Sequence, residues 1–258
     1  MAQVFGKFSD VTSDFAKRLH DHGYEIKTEK WQGKEITDTH AMIEILNPSF
    51  SCPVVEDLDE LKKEIKPNLP WADDHFQERV GREPLNPGNE YKNWPYYKHN
   101  PENDKFRTEG KKFTHSYMER IWPPETMGIR YEYGNFDDVI NLLVKEPFTR
   151  QAFLPIWFPE DTGVKHGGRV PCSLGYWFIR RGKWLHINYY IRSCDFIRHF
   201  RDDIYLTSRK LLWALDELRK KDPETWNDVE PGFLTMYIGS LHCFKLEKST
   251  LKSHFQKH

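Results

Sequence analysis

The sequence predicts an α/β (α+β) protein, because amphipathic helices and aromatic-rich strands both occur along the chain. Residues 204–221 place leucines at helical spacing, and residues 136–146 form a second amphipathic helix pattern. Two apolar segments, 175–179 and 184–191, flank the charged turn at 180–183 and predict a β-hairpin. The 258 residues suffice for one substantial core.

The other elements are predicted from capping residues and apolar patterns. Residues 7–22 predict a helix that Ser9 or Asp10 caps and that ends at Gly23. Met42–Leu46 predicts a short strand that stops at an Asn-Pro pair. Further elements are predicted at residues 57–65 (helix), 152–158 (strand) and 233–238 (strand).

A polar segment at about 73–112 is rich in proline, asparagine and glycine, which predicts a long surface loop within a single domain spanning residues 1–258. The segment is either a solvated excursion or a lid, because long loops in compact domains are often functional. Its aromatic residues Trp94, Tyr96 and Tyr97 could stack on a flat cofactor ring or pin the loop to the body.

Composition excludes several classes of protein. Basic and acidic residues nearly cancel, 38 against 39, so no bulk field favours nucleic acid or a membrane surface. No apolar run approaches the roughly 18 residues of a membrane span, and the N-terminus lacks a secretory pattern. Cysteines are scattered without a Cys-x-x-Cys pair, at positions 52, 172, 194 and 243. This argues against a disulfide scaffold or a zinc site and favours a cytoplasmic setting.

The hairpin brings two reactive side chains together. Because a hairpin returns the chain to its start, Cys172 and Arg192, 20 residues apart, are expected at the same end. A nearby cation lowers the pKa of a thiol and raises its thiolate fraction. Taken alone, the pattern favours a small buried apolar residue at Cys172, since most buried cysteines are inert.

The segment 170–205 resembles the core of the thymidylate synthase superfamily. It carries that superfamily's Pro-Cys pair at 171–172 and its Arg-Ser-x-Asp motif at 192–195, at the same separation. Phe-Arg-x-Asp at 200–203 makes it most similar to the phage-type deoxycytidylate hydroxymethylases. The resemblance covers about residues 136–246. It implies a large mixed sheet flanked by helices and a homodimer packed sheet on sheet.

The resemblance assigns a nucleophile and phosphate ligands. Cys172 takes the position of the nucleophile, and Arg192 with Ser193 that of the phosphate motif. Arg150 matches the first arginine of a pair that, in the family, crosses the dimer interface to the partner's nucleotide phosphate. The second arginine of that pair is replaced by Gln151.

Sugar, folate and further phosphate contacts are also implied by the resemblance. His242 matches a histidine that binds the sugar 3′-hydroxyl, while Phe244 stands where the family has a tyrosine, so one hydrogen bond is lost. Asp195 matches the motif aspartate near the folate, and Trp94 is placed on the same side. Lys34 takes the place of an N-terminal phosphate-loop arginine.

A carboxyl group at position 203 is expected to read the pyrimidine edge. Thymidylate synthases have asparagine here, and the cytidylate-specific relatives have aspartate, as in Asp203. A carboxyl can accept from the exocyclic amine of cytosine and share a proton with the ring. The alternative is a helix cap at Asp203, a role that Asp202 could also fill. Tyr117 matches a proton-relay tyrosine, and Glu78, with Glu83 as second choice, matches the carboxylate that holds a water.

The implied activity is transfer of a one-carbon unit from 5,10-methylenetetrahydrofolate to carbon 5 of dCMP or CMP, with addition of water. No metal is implied. Methyl transfer and a non-catalytic nucleotide-binding paralogue are the alternatives. In the family, the positions of Ser173 and Phe244 both border the nucleotide, so the sequence does not decide whether the sugar of the substrate is ribose or deoxyribose. The product could serve phage DNA modification or a nucleoside natural product, in a bacterial or phage-infected cytoplasm.

Overall fold

The computed structural model describes residues 2–26, 40–96, 112–123, 134–162 and 169–256, together with the backbone of residues 30–31 and 34–35. Within these ranges, no helix combines the length and apolar character needed to cross a membrane.

The described residues form ten strands. In chain order they are β1 (Gln3–Val4), β2 (Tyr24–Ile26), β3 (Lys30–Trp31), β4 (Lys34–Glu35), β5 (Met42–Leu46), β6 (Ser49–Pro53), β7 (Phe153–Pro155), β8 (Ser173–Arg181), β9 (Trp184–Asp195) and β10 (Glu230–Phe244).

Eight of these strands form one mixed sheet. Its order is β1-β6-β10-β9-β8-β7, and β5 pairs with both β10 and β2. The β10–β9 and β1–β6 pairs are parallel, and the remaining pairs are antiparallel. The predicted large mixed sheet is therefore confirmed. The predicted hairpin is β8–β9, which is longer at both ends than the sequence pattern indicated.

Helices cover the sheet. They are α1 (Phe8–His22), α2 (Leu58–Ile65), α3 (Trp71–Val80), α4 (Tyr117–Ile121), α5 (Phe136–Lys145), α6 (Phe200–Lys221) and α7 (Pro223–Trp226). Short 3-10 helices lie at Glu90–Asn93, Pro159–Asp161 and Lys245–His254.

The prediction of a loop from residue 73 is wrong for its first part, because α3 occupies Trp71–Val80. Its buried positions recur at helical spacing, but two of them, His75 and Arg79, are polar. A hydrophobic pattern cannot detect a buried stripe that contains charged side chains. The second half of the segment lies largely outside the described residues.

Two other predicted boundaries are wrong. The first helix is preceded by Lys7, so neither Ser9 nor Asp10 caps it. The strand predicted at residues 152–158 is shortened to Phe153–Pro155, because the chain leaves the sheet through a 3-10 turn.

Helix α6 lies on one face of the sheet and organises the core. Its Phe200 ring stacks on Phe15 of α1 at 5.8 Å between centroids and meets Phe50 of β6 at 6.2 Å. The apolar residues of α6 that the sequence placed in the core are buried, among them Leu211 and Leu215. This packing fixes the N-terminal end of α6 against the β9–α6 turn.

The opposite face of the sheet carries an exposed aromatic patch. Phe153, Trp184, Phe233 and Tyr237 are each more than one third exposed. Tyr190 stacks on Tyr237, with centroids 5.0 Å apart and ring planes 8° apart. A contiguous exposed apolar patch on a sheet face is typical of a protein–protein interface.

Candidate active site

The open end of the β8–β9 hairpin brings Cys172 and Arg192 together, as the sequence predicted. The Arg192 N–H donates to the Cys172 carbonyl at 2.9 Å. The Arg192 guanidinium turns back on the same segment, and Nε donates to the Pro171 carbonyl at 2.9 Å. The side chain of Arg192 also lies 5.6 Å from the Trp157 ring centroid. The arginine is thus held beside the thiol-bearing residue.

Burial has a larger effect on the pKa of the Cys172 thiol than the neighbouring charges have. It raises the pKa of Cys172, while Arg192 lowers it, Asp203 raises it and Arg169 lowers it again. The expected influence of Arg192 on the thiol pKa therefore has the right sign but is outweighed by burial. The two arginines give the thiolate its favourable charges, and the Asp203 carboxylate opposes them.

Asp203 lies in the first turn of α6, and its N–H donates to the His199 carbonyl at 2.7 Å. His199 occupies the N-cap position, so the helix-cap alternative for Asp203 is wrong. Asp202 is not the cap either, because its carboxylate accepts from the backbone and side-chain nitrogens of Asn68 at 2.8 and 2.7 Å. The Asp203 carboxyl therefore does not serve as the cap of α6.

The environment of Asp203 makes it a neutral-pH acid or base. Burial raises the pKa of the carboxyl to about 7. Arg79 and Lys210 lower that pKa, Asp202 raises it, and a contact of 3.6 Å from Cys194 Sγ to Asp203 Oδ2 lowers it. A carboxyl that exchanges its proton near neutrality is suited to general acid–base chemistry.

A cluster of tyrosines surrounds Ser173, the residue after Cys172. The Ser173 and Tyr189 hydroxyl oxygens are 2.6 Å apart, and both Tyr117 and Tyr176 also hydrogen-bond to Ser173. The Tyr176 and Tyr189 rings stack at 4.7 Å. Burial raises the pKa of Tyr117, followed by the charges of Cys172 and Asp203. The structure thus brings Tyr117 into the same cluster as these two groups.

Helix α4 positions Tyr117. Ser116 caps this helix in a capping box with Glu119, and the buried Arg120 makes two bonds to Asp161, at 2.9 and 2.8 Å. The guanidinium of Arg79 lies 4.5 Å from the Tyr117 ring centroid. Tyr117 thus contacts α3 through Arg79, and its helix α4 is joined to the 3-10 turn at Asp161 through Arg120.

The proposed phosphate ligands are only partly brought together. Ser193 of β9 is the cross-strand partner of Ser240 of β10. The two strands approach closely beside this pair, because a Cβ atom added at Gly239 would lie 2.6 Å from the Arg192 carbonyl oxygen. Arg150 is exposed between α5 and β7. Lys34 lies in β4, and its side chain is outside the described residues.

His242 forms a polar group with two neighbours across the sheet. It is the cross-strand partner of Glu44 on β5 and of Asp195 on β9. Ser240 Oγ donates to Glu44 at 2.5 Å and lies 3.4 Å from His242 Nδ1. Burial lowers the pKa of His242, against the raising effects of Asp195 and Glu44. The imidazole is therefore neutral near pH 7 and can exchange hydrogen bonds with a hydroxyl.

Asp195 is held by the turn that follows it. Its Oδ1 accepts from the backbone nitrogens of Ile197 and Arg198 at 3.0 Å, and Oδ2 accepts from the Arg198 side chain at 3.0 Å. Arg198 also binds Glu247 and lies 4.8 Å from the Phe244 ring centroid. Asp195 and Phe244 thus border the same ion-pair network.

A flat aromatic surface covers this turn. Trp94 stacks on His199 at 4.7 Å with a 10° interplanar angle, and Tyr96 donates to the Ile197 carbonyl at 3.3 Å. The Trp94 Nε1 atom is buried and has no hydrogen-bond partner among the described residues. The stacked Trp94 and His199 rings thus lie beside the turn that follows Asp195, whose carbonyl accepts from the His199 N–H. Tyr97 lies outside the described residues.

Glu78 is largely buried on α3 and ties the following loop down. Its Oε1 accepts from the backbone nitrogens of Asn89 and Glu90, and Oε2 lies 3.4 Å from His75 Nδ1. Burial raises the pKa of Glu78, but these hydrogen bonds outweigh it and the net pKa is lowered. Glu83, the second choice, is exposed.

The fold was compared with known proteins. No family model matches the chain, and no curated protein sequence matches it. Among solved structures, the thermostable thymidylate synthase A from Bacillus subtilis matches with a TM-score of 0.68 at 12% sequence identity. The match covers 98% of this chain and 85% of that one. The chain has a thymidylate synthase-like fold.

Within this thymidylate synthase-like fold, sequence reasoning missed two buried cations, Arg79 and Lys210. Each occupies a position in an otherwise buried helical stripe, and that placement was the available signal. Tyr176 and Tyr189 beside Ser173 were also missed, because their side chains meet only through strand pairing. No group of three or more potential metal ligands occurs among the described residues.

Proposed function

We propose that the chain is a folate-dependent pyrimidine nucleotide hydroxymethylase that acts on carbon 5 of dCMP, with CMP as the second substrate. The observation that carries the proposal is the buried Asp203 carboxyl, with a pKa of about 7, in electrostatic contact with the Cys172 thiol. A nucleophile and a proton donor are the two groups that activation of cytosine requires.

The first step uses these two side chains together. The Cys172 thiolate adds to ring carbon 6, and a carbon–sulfur bond forms as the carbon 5–carbon 6 π bond breaks. The electrons move through carbon 4 to ring nitrogen 3, which takes the proton of Asp203. Carbon 5 thereby becomes part of an electron-rich enamine that can capture a one-carbon electrophile. Expulsion of the thiolate later regenerates Cys172.

Binding groups are proposed around this pair. Arg192 and Ser193 hold the phosphate, and Lys34 is a further candidate. His242 binds the sugar hydroxyl, and its ring lies next to Ser240, which in turn donates to Glu44. Phe244 supplies only apolar contact.

The folate side is proposed to lie on Trp94, next to Asp195. When bound, 5,10-methylenetetrahydrofolate supplies the one-carbon unit. Glu78 is the proposed holder of the water that completes the hydroxymethyl group, and its lowered pKa favours the ionised carboxylate, which can accept a hydrogen bond from that water. Tyr117, bonded to Ser173, is the proposed relay between the site and that water.

A homodimer is proposed through the exposed aromatic patch, Phe153, Trp184, Tyr190, Phe233 and Tyr237. Burying these side chains removes apolar surface from water at about 25 cal/mol per Å². The exposed Arg150 is proposed to reach the partner's nucleotide phosphate across this interface. We expect sedimentation at twice the chain mass. A monomer at micromolar concentration would contradict the dimer.

The test of the function is mass spectrometry of dCMP, CMP and dUMP after separate incubation with the protein and 5,10-methylenetetrahydrofolate. We expect a gain of about 30 mass units on a cytidylate, which corresponds to a hydroxymethyl group. A gain of about 14 units would mean methyl transfer instead and would remove the water-holding role of Glu78. No product from any of the three would favour a protein that only binds nucleotides.

A further inference from the structure

Lys210 is a buried lysine to which the proposed chemistry gives no part. It lies in the middle of α6 and is 0% exposed. Its Nζ has no hydrogen-bond partner in the part of the chain that the structure describes, and lies 4.7 Å from the Tyr176 ring centroid. Burying an amine without hydrogen bonds is costly, and an apolar side chain of similar volume would avoid that cost.

The position of Lys210 relates it to Asp203. The two are seven residues apart on α6, so they share one face of the helix and are separated by about 10 Å along its axis. Long side chains of a helix point toward its N-terminus, which directs Lys210 toward Asp203. Thr207 lies between them on that face, is 1% exposed and has no hydrogen-bond partner for Oγ1 among the described residues.

Groups from four other elements face this line of polar side chains. Arg79 of α3 is buried and donates from Nε to His75 Nε2 at 3.0 Å, and it acts on both Asp203 and Lys210. The titratable and charged groups that interact with Asp203 are Arg79 (α3), Tyr117 (α4), Cys172 (just before β8), Tyr176 (β8), Tyr189 and Cys194 (β9), and Asp202 and Lys210 (α6). Of these, only Arg79 and Lys210 are basic.

We propose that Lys210 is a positioning residue that acts through Asp203: the positive charge of its protonated amine strengthens the Asp203 carboxyl as the acid that protonates the pyrimidine ring. This inference rests on the proposed function. Without a cation, burial would keep the carboxyl protonated and make it a poor proton donor. Arg79 supplies one such charge from α3, and Lys210 supplies the second from within α6.

The direction of each effect is consistent with this role. Burial raises the pKa of Asp203, and both cations lower it. Burial and Arg79 hold the pKa of Lys210 well below its usual value, against the raising effect of Asp203. The lysine and the aspartate therefore stabilise each other's charged forms.

The test replaces Lys210 with methionine, which has a similar volume and no charge. Selective ¹³C labelling of aspartate side chains follows the Asp203 carboxyl through a pH titration without any ligand, and Asp203→Asn assigns its signal. We expect the pKa of Asp203 to rise by about one unit or more in Lys210→Met. We also expect kcat for a cytidylate to fall about three- to tenfold. Nucleotide affinity at pH 7 should be retained, because the protonated carboxyl still pairs with cytosine.

Lys220→Met is the matched control, since Lys220 lies on the same helix but is exposed. It should leave both the carboxyl titration and kcat unchanged. An unchanged Asp203 pKa in Lys210→Met would overturn the proposal, whatever happens to turnover. An unfolded Lys210→Met variant would also overturn it, because it would show a structural role. Absence of product from the unmodified protein would contradict the proposed function, while the titration would still decide whether Lys210 acts on Asp203.

Discussion

Cys172→Ser is expected to lower cytidylate turnover by about 10³-fold or more, because a serine hydroxyl at this site is a far weaker nucleophile than a thiolate. Nucleotide binding should change little, since the phosphate and sugar contacts come from other residues. Turnover is measured by product mass, and binding by calorimetry with dCMP alone. A loss of turnover with retained binding assigns Cys172 to the chemical step.

The chain offers a matched control in Cys52, a buried thiol of β6. Burial raises its pKa to about 12, so it is inert near neutral pH. Cys52→Ser should keep turnover and lose only stability. Substantial residual turnover in Cys172→Ser, at a level close to that of the Cys52 variant, would contradict the nucleophilic role.

Asp203→Asn is expected to move the substrate preference from cytidylate to uridylate. An amide cannot give a proton to ring nitrogen 3, so dCMP turnover should fall about 10²- to 10⁴-fold. An amide can still pair with the carbonyl and N–H of uracil, so dUMP should become the better substrate. The measurement is kcat/KM for dCMP and dUMP across pH.

The pH dependence provides a second criterion. The pKa of Asp203 is raised to about 7, so the carboxyl carries its proton below that pH and loses it above. Turnover requires both the protonated Asp203 carboxyl and the Cys172 thiolate, whose pKa is raised. Cytidylate turnover by the unmodified protein should therefore rise with pH and level off at about 7, and Asp203→Asn should lack that break. Asp216→Asn is the control, because Asp216 lies on the same helix but is exposed. An unchanged cytosine preference in Asp203→Asn would contradict the edge-reading role.

The sequence predicted the parts of the fold that depend on local signals. The β8–β9 hairpin and the apolar stripe of α6 were recognisable because period-2 and helical patterns report which side is buried. The juxtaposition of Cys172 and Arg192 followed from hairpin geometry alone. These elements adjoin the proposed nucleophile and phosphate ligands, so the centre of the proposed site was predictable.

Features set by tertiary packing were not predictable. Helix α3 was missed because Arg79 and His75 stand in its buried stripe, where they bond to each other instead of facing solvent. The start of α6 was placed too late, which left Asp203 as a possible cap, because the turn after Asp195 continues directly into the helix. The net pKa of Cys172 depends on burial, which no local pattern reports.

The most direct test of the central claim is covalent trapping on Cys172. A 5-fluoro analogue of dCMP should stop the reaction after carbon–carbon bond formation, because fluorine at carbon 5 cannot leave as a proton does. With 5,10-methylenetetrahydrofolate present, we predict an adduct that survives denaturation and maps to the peptide containing Cys172 by mass spectrometry. Adduct formation at another residue, or none from a protein that turns over dCMP, would contradict the account.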